Sequence, residues 1–164
     1  MLNKLSAGQL IALGAALLVL LFFFFPWVEI NMFLAVTNLS GFQLASGSGP
    51  AGANFSGVPS LFIVPLSMTG VLVLAVVCFA GSGSAAQLKT LAAILILAAG
   101  GISVLVILYQ YFNLNQQFNQ NVLGMIAQKM FSYSFGAHAS LFGSVVVAGS
   151  GLLDLVRGHK KPSS

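Results

Sequence analysis

No charged residue interrupts residues 5–28, 30–88, 90–128 or 130–153. A short chain with gaps of that length cannot clothe itself in water. Soluble domains carry about 25% charged residues, whereas this chain of 164 residues carries 5% charged and 58% hydrophobic. Part of its surface must face lipid. The eight charges are Lys4, Glu29, Lys89, Lys129, Asp154, Arg157, Lys160 and Lys161, and they fall at the ends of apolar runs. The net charge of +4 therefore makes no basic stripe of the kind nucleic acid requires, and no nucleic-acid partner is expected. The one cysteine, Cys78, lies inside an apolar run, so neither a disulfide framework nor metal-type spacing is available.

Four runs are candidates for crossing a bilayer, because about 20 residues rising ~1.5 Å each cover the ~30 Å hydrocarbon layer. The first covers residues 9–27 and includes Phe22, Phe23, Phe24 and Phe25. Lys4 ahead of it resembles a signal peptide. The length of the run, and its ending in Phe25, Pro26 and Trp27 where a cleavage site would have small residues, read instead as an uncleaved anchor. Pro26 stops the helix, and Trp27 suits the interface between lipid and water. The other spans are residues 60–81, with Pro65 near the start; 89–112, ending in Tyr109, Tyr111 and Phe112; and 137–156. The expected fold is a single all-α membrane domain over residues 1–164. It is a four-transmembrane-helix bundle with a short β segment in the first outer loop and an amphipathic helix before the last span.

The outer loops are residues 28–59 and 113–136. In the first, Val28, Ile30, Met32, Leu34 and Val36 alternate with Glu29, Asn31, Phe33, Ala35 and Thr37, which is a strand signal. A lone strand is unstable, so residues 39–44 are candidates to return as its partner. Residues 46–57, rich in Gly, Ser and Ala, read as a loop. In the second loop Leu114, Phe118, Val122, Met125, Ile126 and Met130 recur at helical spacing among Asn and Gln, which suggests an amphipathic helix. With the N-terminus inside, Lys4, Lys89, Arg157, Lys160 and Lys161 are cytoplasmic and only Lys129 is outside. The positive-inside rule therefore places both termini in the cytoplasm.

Little in the sequence invites chemistry. His138, at the outer end of the last span, is the one candidate ligand for a metal or tetrapyrrole. The plainer reading is an interfacial imidazole bonded to a loop carbonyl. Asp154 and Arg157, three apart on one helix, are placed to pair on its surface, and Glu29 is expected to be solvated. No activated nucleophile, acid–base pair or metal set can be assembled, so neither an enzyme nor a cofactor is expected. Asn38 and Asn54 each begin an Asn-x-Ser triplet, which we read as accidental.

Small residues carry more information. Gly136, Ser140, Ser144 and Ala148 recur every four residues in the last span, as do Gly8, Ala12 and Ala16 in the first. Such rows let helix backbones approach in lipid and are expected to be packing faces. In the first outer loop Trp27, Ile30, Met32, Leu34 and Phe42 are candidate interaction residues, since an exposed strand edge can extend a neighbour's sheet.

The pattern of Pro26, Trp27 and Val28 at the end of an apolar helix, then Leu39, Ser40, Gly41 and Phe42 in a turn, then a last helix opening on Gly136, resembles a class of bacterial four-span membrane proteins of unassigned activity. The resemblance implies a multi-pass protein of a bacterial inner membrane and brings no functional residues with it. Animal claudins share four spans and a strand-bearing first loop. Their Gly-Leu-Trp and paired loop cysteines are absent here, and that reading is disfavoured. The function expected is a non-catalytic accessory or scaffold subunit in contact with the bilayer and with other membrane subunits or itself. The alternative is an oligomeric transporter or channel for a small or lipid-like molecule.

Overall fold

The structure, a computed structural model, describes residues 5–32, 35–49, 56–80, 86–119 and 131–159. Its helices are α1 (Ala7–Phe23), the short α2 (Gly41–Ser46), α3 (Ile63–Ala80), α4 (Ala86–Asn119) and α5 (Phe135–His159). Its strands are β1 (Pro26–Met32), β2 (Ala35–Ser40) and β3 (Phe131–Tyr133), and a 3-10 turn at Pro59–Phe62 leads into α3. The fold is thus mostly helical with a small sheet. Three segments, Pro59–Cys78, Lys89–Asn113 and Phe135–Arg157, are long and apolar enough to cross a membrane.

The expected first span forms a shorter apolar helix of 17 residues, about 26 Å at ~1.5 Å per residue. Its start is fixed by a capping box: Ser6 Oγ accepts from Gln9 N–H at 3.0 Å, and Gln9 Oε1 accepts from Ser6 N–H at 3.0 Å. Its end follows from Pro26, which cannot continue a helix and disfavours helical geometry in the residue before it. The third run supplies the span Lys89–Asn113. Helix α4, with 34 residues and about 51 Å long, carries on beyond it through Asn119, into the expected outer loop. No Gly or Pro occurs between residues 102 and 119 to break it. Most of the expected amphipathic helix falls on residues 120–130, outside the described residues, and Phe131–Tyr133 beyond them is a strand. The Gly-Ser-Gly-Ser sequence at residues 81–84, which reads as a short turn, also lies outside the described residues.

Helix α5 packs against both α1 and α4, and α3 packs against α4 and α1. Lipid is as apolar as leucine, so close approach and polar pairing decide which helix faces meet. A Cβ built at Gly151 would lie 2.6 Å from Leu97 N and 2.7 Å from Ala93 O, and one at Gly100 would strike the Ala148 backbone. The contact between α4 and α5 is thus made through backbone. Between α3 and α4, Ser67 Oγ and Ser103 Oγ lie 2.8 Å apart and Gln110 Nε2 donates to Ser60 Oγ at 2.9 Å. Interhelical bonds of this type contribute about 0.6 kcal/mol each. Val19, Val64, Met68, Val71, Ile96, Ile107 and Val147 fill the interior.

The three strands form an antiparallel sheet in the order β2-β1-β3. The alternating run that reads as one strand is a hairpin, with Met32 paired to Ala35, Ile30 to Thr37 and Val28 to Leu39. Alternation has a period of two on both sides of a two-residue turn, so the reversal leaves no mark in the pattern. It does exchange the faces. Cross-strand partners share a face, so Leu39 joins Val28 in the core while Val36 joins Asn31 on the open side and is 57% exposed. Of the returning segment, residues 39 and 40 end β2 and the remainder forms α2.

The expected pairing of Asp154 with Arg157 is replaced by a longer-range contact. Ser6 Oγ donates to Asp154 Oδ2, and a side chain at Gly8 would collide with that carboxylate. Asp154 therefore lies over the first turn of α1, where unpaired N–H groups favour an anion by about 0.3–1 kcal/mol. Only the absence of a side chain at position 8 lets it approach.

Candidate functional site

The three-stranded sheet lies where the C-terminus of α1 meets the N-terminus of α5, and Trp27 is the joint. Sequence reasoning puts this indole between lipid and water, but it is buried, 4% exposed. Two glycines make the room. A Cβ at Gly136 would lie 2.9 Å from Trp27 Cδ1 and 2.5 Å from Pro26 O, and one at Gly41 would lie 2.8 Å from Trp27 Cε2. The indole Nε1–H donates to Phe22 O at 2.9 Å, a carbonyl at the end of α1 that also accepts from Phe25 N–H at 3.2 Å. Phe23 packs edge-on against the indole at 5.7 Å between ring centroids. Ser134 N–H donates to Trp27 O at 2.8 Å, tying the entry of α5 to β1.

Strand β3 is held by aromatic contacts with α4. The Tyr133 and Tyr111 rings stack at 3.7 Å between centroids and 18° between planes, and Tyr133 O–H donates to Tyr111 O at 3.4 Å. Burial, and then the like charge of an ionised Tyr111, push the Tyr133 phenol up to about 12. His138 is exposed, and both ring nitrogens are engaged: Nδ1 with Ser134 O at 3.0 Å and Nε2 with Tyr111 O–H at 3.3 Å. A carbonyl only accepts, so the network has Nδ1–H donating and Nε2 accepting. The imidazole of α5 thus links α4, through Tyr111, to Ser134, the residue before α5. Among the described residues no three His, Cys, Asp or Glu side chains gather to hold a metal ion.

Which backbone groups the sheet leaves open follows from the bond from Ser134 to Trp27. It turns the backbone groups of Trp27, and by alternation those of Glu29 and Asn31, toward β3. Those of Val28, Ile30 and Met32 then face β2, where they meet Leu39, Thr37 and Ala35. On β2 the groups of Val36 and Asn38 are left pointing outward. Among the described residues β2 is an edge strand, and both Val36 and Asn38 are exposed on it. Phe42, 43% exposed, stacks on Phe24 beside this edge.

The candidate interaction residues therefore separate. Ile30 and Met32 belong to the central strand, Ile30 half-buried against the core, Trp27 is interior, and Leu34 lies outside the described residues. Phe42 is at the surface with Val36. The small-residue row of α5 meets different neighbours along its length: Gly136 meets the junction of α1 and β1, while Ala148 meets Gly100 of α4. Ser140 and Ser144 are fully buried between these contacts. Ser144 Oγ donates to Ser140 O at 2.8 Å, and Ser140 Oγ has no partner among the described residues. In α1, Ala12 and Ala16 are fully buried and Gly8 meets Asp154.

Tyr133 and the pair of Gln110 with Ser60 are not singled out by the sequence, because their partners are more than 20 residues distant. No family model, curated protein or solved structure matches this chain.

Proposed function

We propose that this protein is a non-catalytic accessory subunit of a membrane assembly and that it docks its partner along strand β2. The observation that carries the reading is the pairing of a braced sheet with an open edge. Trp27, Gly41 and Gly136 fix β1 to the bundle, and the outward groups of Val36 and Asn38 are left to pair with a strand of another subunit. Val36 and Phe42 add apolar surface beside the edge. An edge strand of this kind is a hazard unless something covers it. In this reading α1 makes a fourth crossing, both termini are cytoplasmic by the positive-inside rule, and the sheet stands on the outer side.

The test is a pull-down of the tagged protein from its own membranes in gentle detergent, with native sizing and mass spectrometry. Wild type is compared with Val36→Pro and Asn38→Pro. Proline is tolerated on an edge strand where its nitrogen faces away from the neighbour, so both variants keep the hairpin and remove an outward donor. The reading expects a stoichiometric partner that both variants lose. A partner retained by both would refute edge docking. A homo-oligomer without a partner would favour the transport alternative, to be followed by flux measurements in liposomes.

A further inference from the structure

At the opposite end of the bundle from the sheet, the start of α1, the start of α4 and the end of α5 line an open cavity of about 320 Å³. Its lining includes Ser6, Gln9, Lys89, Thr90, Asp154 and Arg157. We propose that this cavity binds the phosphate of an anionic lipid headgroup.

Three observations support the assignment. The first is charge. Lys89 and Arg157 bring two cations to the cavity and Asp154 one anion, and neither cation is paired with Asp154, whose carboxylate is taken up by Ser6 and the first turn of α1. The carboxylate is thereby occupied, and the cationic groups are left to face an incoming anion. The second is Gln9. Its Oε1 is used in the capping box at the start of α1, which leaves its Nε2 as a further donor of a residue that lines the cavity. The third is depth. Lys89 opens one candidate span and Arg157 closes another, so the cavity lies at the boundary of the hydrocarbon layer, where lipid phosphates are found. Basic pockets between spans at this level suit anionic headgroups. Lys4, Lys160 and Lys161 flank these helix ends in the sequence and add to the same sign of charge.

The proposal does not depend on the docking reading of the sheet, and its test uses the full chain alone. Protein purified in detergent is titrated with short-chain phosphatidylglycerol, phosphatidylcholine or inorganic phosphate, and binding is read by native mass spectrometry and by the shift in melting temperature. The expected result is preference for phosphatidylglycerol over phosphatidylcholine by about tenfold or more, with about fivefold loss for each of Lys89→Gln and Arg157→Gln. Both of these side chains are exposed, so the variants leave the packing intact.

Gln9→Met is neutral and leaves the attraction of a merely basic surface unchanged, but it removes the Nε2 donor and should weaken binding several-fold. Gln9→Glu keeps the capping box while placing an acceptor where the donor was, and should weaken binding further. Equal binding of the two lipids, or full affinity in both Gln9 variants, would overturn the proposal. An equal shift from inorganic phosphate at the same concentration would overturn the lipid as the ligand.

Discussion

Adjacent glycines in α4 provide a test of how the bundle is held together. Gly100 faces α5, where an added Cβ would strike the backbone of Ala148, whereas Gly101 has nothing within 4 Å of the same construction. Helix α5 repeats the arrangement, with Gly151 against Leu97 N at 2.6 Å and Gly149 open. Replacing each of the four by alanine changes the chain chemically in the same way. At the open positions alanine gains helix propensity, up to about 1 kcal/mol relative to glycine. At the closed positions the obstacle is backbone, which cannot move aside as a flexible side chain does, and overpacking of this kind costs about 1–3 kcal/mol. The expected outcome is therefore opposite signs within each helix, separated by about 2–4 kcal/mol. Gly100→Ala and Gly151→Ala act on one contact, and separating the helices for one relieves the other. The double variant should thus cost less than the two singles added together. Thermal unfolding in detergent, followed by the fluorescence of Trp27, measures all five. A loss for Gly101→Ala equal to that for Gly100→Ala would refute the argument that backbone contact between α4 and α5 sets this interface.

Three further outcomes follow from other contacts. Trp27 should emit in the blue and resist aqueous quenchers, and Trp27→Phe, which removes the bond to Phe22 O, should lower stability by about 1–2 kcal/mol in chemical denaturation. Ultraviolet titration should show the Tyr133 phenol ionising near the value of about 12 to which it is raised, and Tyr133→Phe should abolish that step. The folded value lies above the ordinary 10, so the fold favours the neutral phenol. Its contribution is complete below pH 10 and is lost as pH rises through 12. Finally, Gly8→Ala should push the Asp154 carboxylate off Ser6 Oγ and destabilise by about 1 kcal/mol, the worth of that hydrogen bond, in the wild type and by almost nothing in an Asp154→Ala background.

The helical layout was legible in the sequence because hydrophobic length is a local property. Residues 60–81, 89–112 and 137–156 each overlap a helix long and apolar enough to span. Polarity located the end of the span within α4, at Asn113, but not the end of the helix, which runs on to Asn119. Asn and Gln change which solvent a helix faces without breaking its hydrogen bonds. The hairpin was hidden for a different reason, since a two-residue reversal preserves alternation on either side and only the pairing partner reveals it. Asp154 was misread because Arg157 is its nearest opposite charge along the helix. Its actual partner, Ser6, lies 148 residues away, and the signal that would have suggested the contact was a glycine, Gly8, in the first turn of α1.

Glycines with close neighbours tie the two ends of the molecule to the same helix pair. Gly136 of α5 admits the junction of α1 and β1, and Gly8 of α1 admits Asp154 of α5. Between them a Cβ built at Gly143 would lie 2.5 Å from Val19 Cγ2 of α1. Helices α1 and α5 are thus in contact at both ends and at the middle, although they are first and last in the chain. A shift of α5 along α1 would lift Trp27 from its seat at one end and withdraw Asp154 from the first turn of α1 at the other. Closely packed interfaces have few intermediate arrangements, so such a shift would meet resistance at every contact at once. The sheet is consequently held as firmly as the helices, and that rigidity suits an edge strand for docking, because a pre-ordered edge loses little conformational entropy when it pairs.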